Sequence, residues 1–319
     1  MRQALKRSCL AALLLLVPAA AALAQSRDPD AARIVTEDIG HFWEAFDHAA
    51  PEFSPQPFGT FYLSRGTPGL KDFVSLRISN AEELARVVRS HPKYYASIRD
   101  STLRIREMEP GIRASFYALK YLYPDAVFPD VYFLIGRLNS GGTVSDRGLL
   151  IGAEMNGRTP QSPVDELNDW LRQVTAPAAE IPHIVAHELI HFQQKYPEST
   201  VLLGQAIREG SADFLAELIS GRPGDQHVAE FAAPREAELW EEFQRKMHGK
   251  EFAGWLYSGS PGRPQDLGYW MGYKITKSYY DRAGDKRQAI REILEIKDVD
   301  AFLAKSGYAE RFAAPAGIK

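Results

Sequence analysis

The segment Ile184-Val185-Ala186-His187-Glu188-Leu189-Ile190-His191-Phe192 constrains this chain more than any other. It is an apolar helical run interrupted only by His-Glu-x-x-His. A helix this apolar is buried, and buried polar side chains need partners. Residues four apart on a helix lie about 6 Å apart along the axis and about 40° apart around it. His187 and His191 therefore point their imidazoles at one place, where a metal ion fits. Glu188 lies beside them, within reach of a water on that ion. One histidine on an apolar face is commonly a satisfied core residue; two flanking a Glu, with no acid partner nearby in sequence, are not.

The next stretch, Gly204 to Phe214, carries Glu209 and Asp213 four residues apart on one helix face. Like charges at that spacing repel by a few tenths of a kcal/mol. The neighbours Val201, Leu202, Leu203, Ala206, Ile207, Phe214 and Leu215 are apolar, so the face is partly buried. Paired carboxylates there need a cation or hydrogen-bond donors. Zinc and a zinc-bound histidine supply both, with Glu209 as third ligand and Asp213 accepting the second ring N–H of His187 or His191. His183 precedes His187 by four residues. Three histidines at that repeat put the outer two about 12 Å apart along the axis, too far for one ion. His183 reads as a first-turn residue near the cleft.

At this point the chain resembles the gluzincin group of metallopeptidases, in which a His-Glu-x-x-His helix is followed by a helix carrying a ligand Glu. Glu209 stands eighteen positions after His191. In the thermolysin-like branch an Asp four residues later supports the ligands, as Asp213 would. The phrases Asn139-Ser140-Gly141-Gly142-Thr143, Glu209-Gly210-Ser211-Ala212-Asp213 and Gly268-Tyr269-Trp270-Met271-Gly272-Tyr273-Lys274 are similar to a family of predicted zinc-dependent proteases related to gliding-motility-associated lipoproteins. They span about residues 130 to 280. Gln193 departs from the apolar residue usual at its place. The resemblance implies an α+β, mostly helical zincin-like fold, with a small antiparallel or mixed sheet before the zinc helix and a helical C-terminal lobe. It also implies a substrate-binding edge strand just before that helix, expected at Gly148–Ala153. A Tyr or His of the later lobe would stabilise the oxyanion. Tyr273 and Tyr269 are the candidates, with His227 behind them.

Arg2, Lys6 and Arg7, then an apolar run to Leu23 and Ala22-Leu23-Ala24, read as a signal peptide over residues 1–24, with periplasmic or secreted export expected. The only cysteine, Cys9, lies within it, and Lys6-Arg7-Ser8 is not a lipobox. A mature chain without cysteine excludes disulfides and zinc–thiolate ligation. The whole chain carries a net charge of −3, and the leader holds three of its cations, so the remainder is more acidic. That argues against a nucleic-acid partner. No later stretch is apolar and long enough to span a membrane.

Residues 25–319 suit one large domain with a helical part over 25–128, the sheet and zinc helices over 129–220, and a helical lobe over 221–319. Asp28–Ala49 reads as an amphipathic helix, Asn80 as a helix cap with Glu83 in capping-box position, and Asp130–Gly136 and Gly148–Ala153 as strands joined through a turn at Asn139–Thr143. Helices are expected at Pro163–Val174, Ala179–Tyr196, Thr200–Ile219, Gln226–His248, Asp266–Tyr280, Ala289–Ile296 and Val299–Lys305. The first region reads as scaffold and cleft wall.

Together these features point to zinc-assisted hydrolysis of a peptide or protein, with Glu188 as general base. Two other classes fit the same residues: an exported binding or assembly protein that retains a zinc site, and a metallohydrolase of a non-peptide amide.

Overall fold

The structure is a computed structural model that describes residues 26–312 apart from 225, 260 and 261. The leader and Cys9 lie outside the described residues. Among the described residues, a helical turn at Pro29–Ala31 leads into strand β1 (Ile34–Val35) and helix α1 (Glu37–Ala49). Short helical turns follow, then α2 (Ala81–Ser90) and α3 (Glu109–Leu122). Strands β2 (Asp130–Leu134), β3 (Gly142–Ser145) and β4 (Gly148–Gly152) come next. Helices dominate the remainder, chiefly α4 (Ile181–Gln193), α5 (Leu202–Ser220), α6 (Glu236–Lys246), α7 (Leu267–Arg282), α8 (Lys286–Leu294) and α9 (Val299–Ser306). The expected α+β class, mostly helical with a small mixed sheet ahead of the His-Glu-x-x-His helix, is what the structure shows.

The sheet runs β1-β2-β4-β3, with β1, β2 and β4 parallel and β3 antiparallel to β4. This corrects the expected edge strand. Gly148–Gly152 is central, buried along its whole length, and the edge is Gly142–Ser145. The sequence Gly-Leu-Leu-Ile-Gly carries no polar face, which is how a strand covered on both sides reads. The first helix also starts later than expected. Ile34 and Val35 pair with Val131 and Tyr132, and Arg33 binds Asp130 through Nε at 2.9 Å, so the helix begins only at Glu37. Two β-branched residues prefer that pairing to a helical turn. Asn80 does cap α2: its side-chain oxygen accepts the Glu83 N–H at 2.8 Å. The Glu83 carboxylate turns to Arg86 instead of closing the box.

A continuous core reaches from Ala32 to Tyr308. The apolar face of α4 (Ile181, Val185, Ala186, Leu189, Ile190) is buried in it. The α4 helix packs on α3, α5, β3 and β4. Gln193, at its end, has a structural use: it accepts the Val127 N–H at 3.0 Å and donates to the Val127 carbonyl at 2.8 Å. On its other side α5 crosses α7 at two glycines. A Cβ on Gly210 would lie 2.1 Å from the Tyr273 nitrogen, and one on Gly272 would lie 1.7 Å from the Ala206 carbonyl oxygen. The two backbones touch where no side chain fits, immediately beside Glu209.

The early helical region holds the loop between β2 and β3 from below. Buried Tyr62 both accepts the Ile135 N–H at 2.9 Å and donates to its carbonyl at 2.8 Å. Tyr95 donates to the Gly136 carbonyl at 2.8 Å. Glu154, fully buried, accepts the Gly136 N–H at 2.8 Å and the Leu138 N–H at 3.2 Å. Burial nevertheless pushes its carboxyl up to about 7.

Two outcomes follow. Gly210→Ala must separate α5 from α7, and chemical denaturation should show a loss of about 1–3 kcal/mol. Glu154 binds its proton more tightly folded than unfolded, so its contribution is greatest below the ordinary carboxylate range and declines as pH rises toward 7. The stability of the native chain relative to Glu154→Gln should therefore fall between about pH 4.5 and 7, by up to roughly 3 kcal/mol. Parallel denaturation curves at each pH would contradict this.

Candidate metal centre

Two apolar helices bring the site together. α4 supplies His187, Glu188 and His191, and α5 supplies Glu209 and Asp213. The imidazoles stand edge to face, their centroids 4.6 Å apart. Glu209 Oε2 lies 3.0 Å from His191 Nε2 and 3.6 Å from His187 Nε2. The ligand atoms of His187, His191 and Glu209 all fall within 4.8 Å of one another. The opposite ring nitrogens are both occupied: His187 Nδ1 lies 2.7 Å from Asp213 Oδ1 and His191 Nδ1 lies 2.8 Å from Gln194 Oε1. With the Nδ1 protons donated to those oxygens, both Nε2 lone pairs face Glu209. Three donors, N, N and O, converge on one point with their tautomers fixed, and a metal ion fits there.

Glu209 is aimed by a second set of contacts. Its Oε1 accepts Gln205 Nε2 at 2.9 Å and the Tyr257 hydroxyl at 3.2 Å, which leaves Oε2 for the histidines. Gln205 also donates to the Tyr257 oxygen at 2.8 Å. Tyr257 is half exposed and takes a left-handed backbone conformation, φ 61°, with its N–H held by Asp266 Oδ1 at 2.7 Å. A non-glycine residue there is strained, and such strain gathers at functional sites.

Burial dominates the electrostatics, and the partners answer it. Burial opposes a charge on His187, but the hydrogen bonds to Asp213 and Glu209 outweigh it and hold its pKa well above the usual value. Burial also opposes ionisation of Glu209, yet His191 and His187 hold it well below the ordinary range. The carboxylates that raise the affinity of His187 for a proton also favour a cation at this place. Glu188 is buried and its pKa is raised by that burial, which the nearby His191, His187 and Arg77 partly offset. Its carboxylate lies against the edge strand: a Cβ on Gly142 would sit 2.3 Å from Glu188 Oε1. Any side chain at that position of β3 would displace the Glu188 carboxylate.

The remaining candidates divide. The Tyr269 ring lies nearly parallel to His187, centroids 6.3 Å apart, so it borders the cluster. The Tyr273 hydroxyl donates to Glu217 at 3.0 Å, two helical turns past Glu209, and its ring packs on Phe214. His183 Nδ1 lies 3.2 Å from Ser220 Oγ, and His183 is not in the group whose ligand atoms converge. His227 falls in the helix Gln226–Ala232. Sequence reasoning passed over Gln194, Gln205 and Tyr257. Gln194 and Gln205 stand three and four positions from His191 and Glu209, so helical spacing alone points to them. Tyr257 lies far off in the chain, outside any helix, and carries no such signal.

No helix among the described residues is long and apolar enough to cross a membrane. No curated protein and no solved structure matches the chain. Residues 58–250 match the sequence model of one family, a span that contains the whole His187–His191–Glu209 cluster and ends before Tyr257 and Tyr269. By that match the chain belongs to the family described as gliding motility protein GldB.

Proposed function

We propose that this protein is an exported zinc-dependent peptidase of the cell envelope, with Glu188 as its general base. The observation that carries this reading is the convergence of His187 Nε2, His191 Nε2 and Glu209 Oε2, with a fourth buried group, Glu188, beside them and unused as a ligand. A structural zinc is commonly closed by four protein ligands, often thiolates, whereas three N/O ligands with an adjacent carboxylate suit catalysis. Two imidazoles and one carboxylate are also the protein ligands of known catalytic zinc sites.

His187, His191 and Glu209 would hold the ion, with Asp213 and Gln194 fixing the two imidazole tautomers. Bound zinc supplies Lewis acidity, polarising a carbonyl and lowering the pKa of water. Glu188 takes the proton of the attacking water and passes it to the leaving amine; its raised pKa suits both steps. The peptide backbone pairs with the free side of β3, the strand that backs Glu188. Burial, and then the charge of Glu209, keep Tyr257 protonated, so its hydroxyl is a donor beside the ligand carboxylate. We assign oxyanion stabilisation to Tyr257, with Tyr269 shaping the wall over His187. Tyr273 is the weaker choice: its hydroxyl donates to Glu217, outside the ligand cluster, whereas that of Tyr257 donates to Glu209 itself and would turn from it to the oxyanion.

The family description favours a second reading, in which the metal site serves a non-catalytic protein of the gliding machinery. Glu188→Gln separates the two. It should keep zinc and lose turnover of a peptide library by at least about 100-fold. A wild-type protein with one zinc that cleaves nothing would leave the second reading in place. Tyr257→Phe should lower kcat by roughly 100-fold with little change in KM, and equal kcat would remove the oxyanion role. Asp213→Asn should weaken zinc binding by about 10- to 100-fold in a chelator competition; unchanged affinity would show that the His187–Asp213 contact does not support the ligand.

A further inference from the structure

Arg77 sits on a single π-helical turn, Val74–Ile78, in the region read from sequence as scaffold. Its position is built by one short segment. Arg137 Nε and Asn139 Nδ2 donate to its carbonyl at 2.7 and 3.0 Å, and its own Nη2 donates to Thr143 Oγ1 on the edge strand at 3.1 Å. Thr143 follows Gly142, the residue pressed against Glu188, and the Arg77 charge reaches Glu188 electrostatically. The neighbouring arginines are neutralised: Arg137 lies near Glu83 and Arg147 near Asp72. No carboxylate among the described residues lies within ion-pair distance of Arg77, and its Nε is buried without a hydrogen-bond partner. The backbone is held by two hydrogen bonds and the half-buried guanidinium by one, with no carboxylate in ion-pair contact, a costly arrangement unless an anion arrives. The partner that matches its planar donors is a carboxylate.

We propose that Arg77 is a specificity-determining residue that binds a substrate carboxylate where the peptide pairs with β3, either an acidic side chain or the chain's own C-terminus. This rests on the peptidase reading. Zinc-loaded Glu188→Gln protein would be titrated with short alanine peptides in matched pairs: free C-terminus against carboxamide, and one internal Glu against Gln. One pair should bind about tenfold or more tightly as the carboxylate, and the pair that does so identifies the source. Adding Arg77→Gln should abolish that preference while leaving zinc content and binding of the neutral peptides; Arg77→Lys should restore part of it. A merely structural arginine would weaken both members of a pair alike. Equal binding of both members, or a preference that survives Arg77→Gln, overturns the proposal, and cleavage of neutral peptides by the wild type would then leave the peptidase reading standing. Failure of every peptide to bind, together with no cleavage by the wild type, removes the peptidase reading and this proposal with it.

Discussion

The structure is organised around charged side chains that have been taken out of water. Glu188 and Glu209 are buried on two otherwise apolar helices, with His187 and His191 nearly so. Each such group costs several kcal/mol unless it is answered in place. The answers are specific: Asp213 and Gln194 on the imidazoles, Gln205 and Tyr257 on Glu209. They fix every ligand orientation before an ion arrives. The remaining demand, for positive charge among Nε2, Nε2 and Oε2, is the one that a divalent cation meets. The close crossing of α5 and α7 at Gly210 and Gly272 serves the same end, since it sets where Glu209 stands relative to Tyr269.

The cluster was readable in the sequence because both of its halves obey helical spacing, and four-residue intervals in apolar runs translate directly into shared faces. The order of helices followed from the same periodicity, and the strand at Asp130–Leu134 from its β-branched and aromatic content. Strand topology did not. Nothing local distinguishes a turn at Asn139–Thr143 from the start of an edge strand, which pairs Gly142–Ser145 with Gly148–Ile151. The fully apolar Gly148–Gly152 did hold the clue that it is central. Ile34–Val35 escaped because a strand of two residues is too short to show alternation, and its partner lies almost a hundred residues away. Tyr257 and Arg77 were invisible for a similar reason. Their places come from long-range contacts, to Glu209 in one case and to Thr143 in the other.

The early region, although without ligands of its own, shapes the cleft. Tyr62, Tyr95 and Glu154 hold the chain between β2 and β3, which leads into Gly142, the β3 glycine that Glu188 rests on. The span matched by the family runs from the neighbourhood of Tyr62 through the metal cluster, so scaffold and site fall within one family unit. The helical lobe beyond it adds the aromatic wall of Tyr257 and Tyr269.

The central claim is that His187, His191 and Glu209 bind one zinc ion. X-ray absorption at the zinc edge, on protein loaded with one equivalent, tests it most directly. The account predicts a four-coordinate ion with two imidazole nitrogens and two oxygens at about 2.0–2.1 Å, and loss of the imidazole scattering when both histidines are replaced by alanine. A six-coordinate ion surrounded only by oxygen, or a spectrum unchanged by the double replacement, would contradict it.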